Sequence, residues 1–485
     1  MPDICPVTAD FAARAAWINR HAWLAGIDLD TECRQAEDEG RDLRSVRRAI
    51  GRLKAAPAPE GAWSTVLGGK RDAAWVAAYY ALNDRIQALP SRAGHPWVEP
   101  DDLAGIRAAR PPAVPLKPWR GSRREFARRL HGGLLGRICG CMLGKPVEGW
   151  PRDSIRISNE ETGNWPVANY MRLPSRPEDA RIAARRPASK WSLANGPGTC
   201  LRPGIRGGVE DDDINYTTTG FAIVKRWGAG FTPSDVASFW LDNLPVNHTC
   251  TAERVAYRNL VAGLPPPSSA THRNPYREWI GAQIRADYFG FANPGLPERA
   301  AEWAWRDASI SHVRNGIYGE MWVAAMLAAA YVHDDWVTIL RAGLAQVPAR
   351  SRLAQSVERV IGDCLRGLDY DGAVAALHAR WNERVGHHWC HTLSNAEVVA
   401  IGLLYGEEDF GRSVGRAVMC GFDTDCNGAT VGGLWGVKHG VDAIPSRWAS
   451  PMRDRVCTGV AGYHETAISA LAADMVGTAL RCRRG

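Results

Sequence analysis

Gly207–Thr217 reads GGVEDDDINYT: four consecutive acids, Glu210, Asp211, Asp212 and Asp213, follow the glycines and lead into a segment with helical spacing. Adjacent carboxylates repel one another unless water or a cation offsets their charge. One or two acids suffice to cap the free N–H groups at a helix start. Four in a row suggest a hard cation that takes oxygen ligands, Mg²⁺, Mn²⁺ or Ca²⁺, with an acidic capped turn as the plainer reading. A second acidic cluster decides between them.

Gly421–Gly428, GFDTDCNG, supplies one, more than two hundred residues later. Asp423 and Asp425 are spaced i, i+2, which in a turn aims both carboxylates at one point. A glycine-rich helical segment, ATVGGLWGVKHG, follows. The spacing alone does not bring the two clusters together in space.

The rest of the chain reads as helices. Phe126, Leu130, Leu134, Leu135 and Ile138 share one side of a helix over Ser122–Leu143. Its glycines, Gly132, Gly133, Gly136, Gly140 and Gly144, would weaken an exposed helix, but within a bundle they allow close approach. Gly144–Trp150, GKPVEGW, then places Glu148 on a loop. Residues 151–209 are polar and rich in Pro, Arg and Gly, and read as irregular binding loops or a lid, most clearly over Ser192–Gly208. Beyond Ile214, helical spacing recurs in Phe221–Trp227, Leu296–Ala304, Met321–Val332, Leu353–Leu365, Ala373–Trp381 and Ala396–Leu404. The expected fold is an all-α bundle, with at most a short strand pair in its loops. Ahead of it, residues 1–108 predict a small helical module. Its apolar stripes are Phe11–Ala15–Ile18–Ala22, Leu43–Val46–Ile50–Leu53 and Trp75–Tyr79–Leu82–Ile86–Leu89. Arg44, Arg47, Arg48, Arg52 and Lys54 would lie on a solvated face or meet a phosphate-bearing partner. Residues 109–120 hold four prolines and predict an extended linker, with a domain over 121–485.

At 485 residues, 45% hydrophobic and 23% charged, the composition is that of a soluble globular protein. A net charge of +7, dispersed over many arginines, argues against nucleic acid as a partner. Met1–Asp10 lacks a signal-peptide pattern, and the longest apolar run, Met321–Val332, is too short for a membrane span. The twelve cysteines are scattered without a Cys-x-x-Cys pair, so reduced thiols in a cytoplasmic protein are expected.

GLLGRICGCMLGKPVEGW (Gly133–Trp150), EDDDINYT (Glu210–Thr217) and GFDTDCNGAT (Gly421–Thr430), in that order, resemble the ADP-ribosylglycohydrolases, including the dinitrogenase-reductase-activating glycohydrolases. Asn274–Asp287, Arg306–Ala325 and His391–Val399 also look like a bacterial branch of that family. The resemblance covers roughly residues 125–480 and leaves the N-terminal module uncovered. It implies an all-α fold with a binuclear Mg²⁺ site that holds ribose hydroxyls while the C1″ bond to nitrogen or oxygen is hydrolysed; Mn²⁺ is an alternative ion. The family's Thr-Asp-Asp-Thr motif falls on Asp211, Asp212, Asp213 and Ile214, and a slip of one residue would bring in Glu210. Its Asp-x-Asp-Thr motif falls on Asp423, Thr424, Asp425 and Cys426, and its mobile glutamate on Glu148. Asp211, Ile214 and Cys426 stand where threonine is usual. Ile214 offers no ligand atom, and a thiol is a poor Mg²⁺ ligand. Two divalent ions would set four positive charges against five aspartates.

The metal ligands implied are Asp211, Asp212, Asp213, Asp423 and Asp425, with Glu148, Asp212 and Asp425 as catalytic candidates. Glu148 would serve as gate or base. Asp307 would also assist; His312, Gly316, Tyr318 and Gly319 are substrate-binding candidates, and His391 and Asn395 are weaker ones. An oxocarbenium-like state suits such an acidic site. The substrate would be an ADP-ribosylated protein or a small N-ribosylated or NAD-derived metabolite. A non-catalytic ADP-ribose reader is the rival from another class.

Overall fold

Two helices with matching glycines set the architecture. Ser122 caps the first, its hydroxyl accepting from the Glu125 N–H at 3.1 Å, and the helix runs Arg123–Gly144. The second runs Thr424–His439. In this computed structural model, which describes residues 27–56, 73–172 and 200–483, they lie antiparallel with their backbones in contact. A methyl group on Gly140 would stand 1.9 Å from the Gly428 carbonyl oxygen. One turn either way, the same holds for Gly136 against Gly432 at 2.2 Å and for Gly144 against Thr424 at 2.2 Å. Each interior glycine costs a helix about 0.5–1 kcal/mol. The contact they permit fixes the register, and Thr424 Oγ1 locks its end by donating to the Gly144 carbonyl at 2.9 Å.

Around this pair the predicted helices appear, with bounds moved by a few residues. Arg314–Ala330 is buried along its whole length after Arg314, which is why its apolar residues circle the helix. Pro297 opens Pro297–Ala308 at its first position, and Arg352–Leu365, Tyr370–Arg380 and Thr392–Leu404 complete the layer. The fold is all-α. Its only sheet among the described residues pairs Val456–Cys457 with Glu465–Thr466, antiparallel.

The segment read as irregular contains a helix, Arg152–Glu161. Its buried face includes Ser154, Ser158 and Asn159 beside Ile155 and Ile157, so hydrophobic spacing had little to report. The Phe11–Ala22 stripe and residues 192–199 lie outside the described residues.

Near the N-terminus, Leu29–Asp38, Arg47–Ala55 and Ala73–Gln87 enclose a small core of Ala36, Val46, Leu82 and Ile86. Arg44, Arg47, Arg48, Arg52 and Lys54 are exposed around it. Ile106, in the short helix Leu103–Ala109, belongs to the main core instead. Residues 110–122 are extended, as their prolines require, and Trp119 packs edge-on against Tyr331. No helix among the described residues is long and apolar enough to cross a membrane.

Gly140→Ala forces the two central helices apart and is expected to cost about 1–3 kcal/mol, whereas Gly51→Ala, helical with open space around it, stabilises by up to about 1 kcal/mol. Chemical denaturation of the two variants measures the contrast.

Candidate metal centre

The helix pair delivers two of the site's elements at its end. Gly144 touches the backbone of Thr424, which lies between Asp423 and Asp425, and the next residue, Lys145, forms an ion pair with Asp211. Lys145–Val147 is a single 3₁₀ turn, and Glu148 follows it, half-buried. Asp211 is the N-cap of the helix Asp212–Trp227, accepting from the Asp213 N–H at 3.0 Å. Both acidic motifs therefore open a helix, and both helix starts meet the end of the glycine-rich helix.

The extra carboxylate, Asp211, is the best compensated. Burial opposes its charge, but the Lys145 ammonium outweighs burial and holds it below the usual carboxylate range. Of the others, only Asp213 forms an ion pair among the described residues, with Arg137. Burial, followed by the charges of neighbouring acids, pushes Asp212 and Asp423 well above the ordinary value. Asp213 is raised likewise, by burial against the pull of Arg137. Burial and then Asp211 lift Asp425 to about 6, and burial and then Asp425 lift Glu148 well up. Asp212, Asp213 and Glu148 feel the charge of Asp425, Asp425 feels that of Asp211, and Asp423 that of Glu148, so the structure brings Glu148, Asp211, Asp212, Asp213, Asp423 and Asp425 into one cluster.

Three buried oxygens in it, Asp213 Oδ2, Asp423 Oδ1 and Asp425 Oδ1, have no hydrogen-bond partner. Buried carboxylate oxygens without donors are costly unless a cation or a proton meets them. Hard oxygen donors in this number fit Mg²⁺ or Mn²⁺. Cys141 lies beside Asp211 and Asp213, and Cys426 beside Asp423 and Asp425, with ligand atoms within 4.8 Å of one another. Burial pushes both thiols well up, so they stay protonated and are poor ligands. Ile214 turns into the main apolar core. Glu210 is engaged elsewhere, its Oε1 meeting His248 Nδ1 at 2.7 Å and accepting from Asn215 Nδ2 at 2.5 Å.

Sequence reasoning missed two cations. Arg137, fully buried, donates to Asp287 Oδ2 at 2.6 Å and to Asp213 Oδ1 at 2.8 Å. It holds one oxygen of Asp213 and leaves the other unpartnered. Lys145 neutralises Asp211. The available signal was a single charge inside each otherwise apolar stretch, LLGRICGC and MLGKPV.

The substrate-binding candidates sit in different surroundings. Arg285 donates to Asp307 Oδ2 at 2.5 Å and to Glu253 Oε1 at 2.8 Å, with Glu320 at 3.5 Å. His312 borders this group, Nδ1 at 2.8 Å from Ser311 Oγ and Nε2 unpartnered, 3.9 Å from Glu253. Burial, then Arg285, keeps the imidazole neutral. Cys250 is within the field of Asp212 and Glu148 and also of Glu253. Gly316 packs under the Arg277 carbonyl and Gly319 against Thr392 Oγ1. The Tyr318 hydroxyl donates to the Pro100 carbonyl at 2.6 Å.

His387, His391 and Asp38 form a third group with metal-ligand proximity, but the tautomers exclude that use. His387 Nδ1 accepts from the Trp279 indole N–H at 3.1 Å, and His391 Nδ1 accepts from the Leu393 N–H at 3.1 Å. Each neutral ring therefore carries its proton on Nε2, and both Nε2–H groups face Asp38.

Comparison with known proteins identifies a family. The family described as ADP-ribosylglycohydrolase matches residues 122–482. One similar solved structure, described as an "ADP-ribosylglycohydrolase-related protein complex", shares 18% identity, covering 73% of this chain and 99% of its own at a TM-score of 0.43. No curated protein matches the chain. With roughly three-quarters of its length matched, the chain belongs to the ADP-ribosylglycohydrolase family.

Proposed function

We propose that this protein is a Mg²⁺-dependent hydrolase that cleaves the ribosyl C1″ bond to nitrogen or oxygen in an ADP-ribosylated substrate. The observation that carries the reading is the cluster of six acids with three buried, unpartnered oxygens, in a chain of this family. Asp211, Asp212, Asp213, Asp423 and Asp425 would hold two ions, Mg²⁺ or Mn²⁺. When bound, such ions fix the ribose hydroxyls and lower the pKa of a water.

The chain's own residues do the remainder. Arg137 and Lys145 orient Asp213 and Asp211, so the ligand oxygens are fixed before substrate arrives. The carboxylate field favours the positive charge that develops over C1″ and the ring oxygen. Glu148, at the edge of the cluster with its proton affinity raised, takes the proton of the attacking water.

Asp212→Ala and Asp425→Ala are each expected to weaken Mn²⁺ binding and slow release of ADP-ribose by about 100-fold or more. If both variants keep binding and hydrolysis, the proposal fails. Running the same assay on modified protein and on small N-ribosides, with calorimetry alongside, separates the protein-directed enzyme from the metabolite hydrolase and from a reader that binds without turnover.

Glu148→Gln should lower kcat by about 10²–10⁴ with little change in KM; a change confined to KM would remove its role as base.

Metal should also stabilise the fold in a pH-dependent way. Asp425 titrates near 6 in the folded chain, against about 4 unfolded. Without metal its contribution to stability is present below the unfolded value and lost as pH rises through 6. A cation reverses that loss, so the gain in Tm on adding Mg²⁺ should be clearly larger at pH 7.5 than at pH 5. At a hundredfold excess over Kd the gain corresponds to about 2.7 kcal/mol per site. Differential scanning fluorimetry decides it, and an equal gain at both pH values contradicts the assignment.

A further inference from the structure

The N-terminal helices lie outside the matched family region, yet they reach towards the second acidic motif. Asp38 ends the helix Leu29–Asp38 and faces the catalytic body. Its Oδ2 accepts from His387 Nε2 at 2.8 Å, with His391 Nε2 at 3.8 Å and Arg352 Nη1 at 3.9 Å. The His391 Nε2–H is buried and makes no hydrogen bond. Asp38 thus accepts from His387 and is the carboxylate that the His391 N–H faces.

The other face of the same segment holds the entry to Asp423. The Trp389 indole N–H donates to the Phe422 carbonyl at 2.9 Å. Asn395 Oδ1 accepts from the Asp423 N–H at 3.2 Å and from Asn427 Nδ2 at 2.7 Å. Asn395 Nδ2 in turn donates to the carbonyls of His391 at 2.9 Å and Trp389 at 3.0 Å. Phe422 needs such holding, because its φ of +58° lies in the left-handed region that a bulky side chain disfavours. A strained residue directly before a ligand persists only when its surroundings over-determine it. Here residues 386–395 supply those surroundings, and Asp38 pins them from behind.

We propose that Asp38 is a positioning residue for the second acidic motif, acting through His387, His391 and Asn395 to set the backbone at Phe422–Asp423. The N-terminal helices are on this reading part of the catalytic scaffold. The inference rests on the metal-site assignment above. Docking of these helices does not depend on Asp38 alone, since Arg277 pairs with Glu32 at 2.8 Å and Glu39 at 2.7 Å, and Gln35 donates to Glu278 at 2.6 Å.

The test uses full-length variants and Mn²⁺ as the probe, read by electron paramagnetic resonance and calorimetry. Asp38→Ala should weaken the Asp423-side Mn²⁺ event by about tenfold and lower kcat more than it raises KM, within the range known for outer-shell residues. Asp38→Asn keeps an acceptor oxygen for the His387 N–H and should restore most of the affinity. Asp84→Ala removes a different docking pair, Asp84 with Arg273 at 2.7 Å, and should leave Mn²⁺ binding unchanged. Wild-type Mn²⁺ affinity in Asp38→Ala overturns the proposal, as does an equal loss in Asp84→Ala, which would mean that docking in general is what matters. If Asp38→Ala does not fold, His387→Phe breaks the same relay at its first step, and unchanged Mn²⁺ affinity there overturns it. Asp425→Ala separates the two levels: if it too keeps wild-type Mn²⁺ binding, the metal assignment itself is wrong.

Discussion

Backbone contact between two glycine-lined helices is the constraint on which the site depends. Arg123–Gly144 and Thr424–His439 approach so closely that no side chain fits between them at Gly136, Gly140 or Gly144. A looser interface, packed through Leu or Val, would tolerate a slip along the helix axis. This one does not, because a shift out of register would drive side chains into the facing backbone. The register therefore carries chemical information: it delivers Lys145 and Glu148 to the start of the helix that bears Asp425.

That placement gathers charge at helix N-termini, where the free N–H groups and the helix dipole favour anions. Asp211 and Asp423 are the N-caps of their helices, and Asp212, Asp213 and Asp425 lie in the first turns. Two helix starts lessen the cost of gathering carboxylates without removing it, and most of the acids remain poised to hold protons. A protonated cluster is compatible with a folded protein, and a bound cation would displace those protons.

Much of this was legible in the sequence, and the limits are physical. Glycines spaced four apart announce a close helix contact, and Asp-rich turns before helical segments announce caps or ligands. The bundle followed from apolar spacing wherever one helix face is apolar, and failed at Arg152–Glu161, where serine and asparagine fill the buried face. Ion pairs were not legible, because their partners lie far apart along the chain. Nothing near Arg137 in sequence points to Asp287, and nothing near Lys145 points to Asp211. The same holds for Asp38 against His387, a contact between two segments that share no motif.

The charges also explain why a sequence that departs from its family's threonines can keep the same site. Asp211 adds a negative charge where a neutral hydroxyl is usual, and Lys145 takes that charge up. Arg137 balances one of the two aspartates it touches, Asp213 or Asp287. What remains is the other of that pair, with Asp212, Asp423, Asp425 and Glu148. The first four of these carry the charge that two divalent cations would offset, and Glu148, free of its proton, adds the negative charge that a base needs. Cys426 and Ile214 contribute nothing to this balance, the thiol being protonated and the isoleucine sunk in the core. The substitutions therefore alter which atoms line the site while leaving a charge that two divalent cations would match.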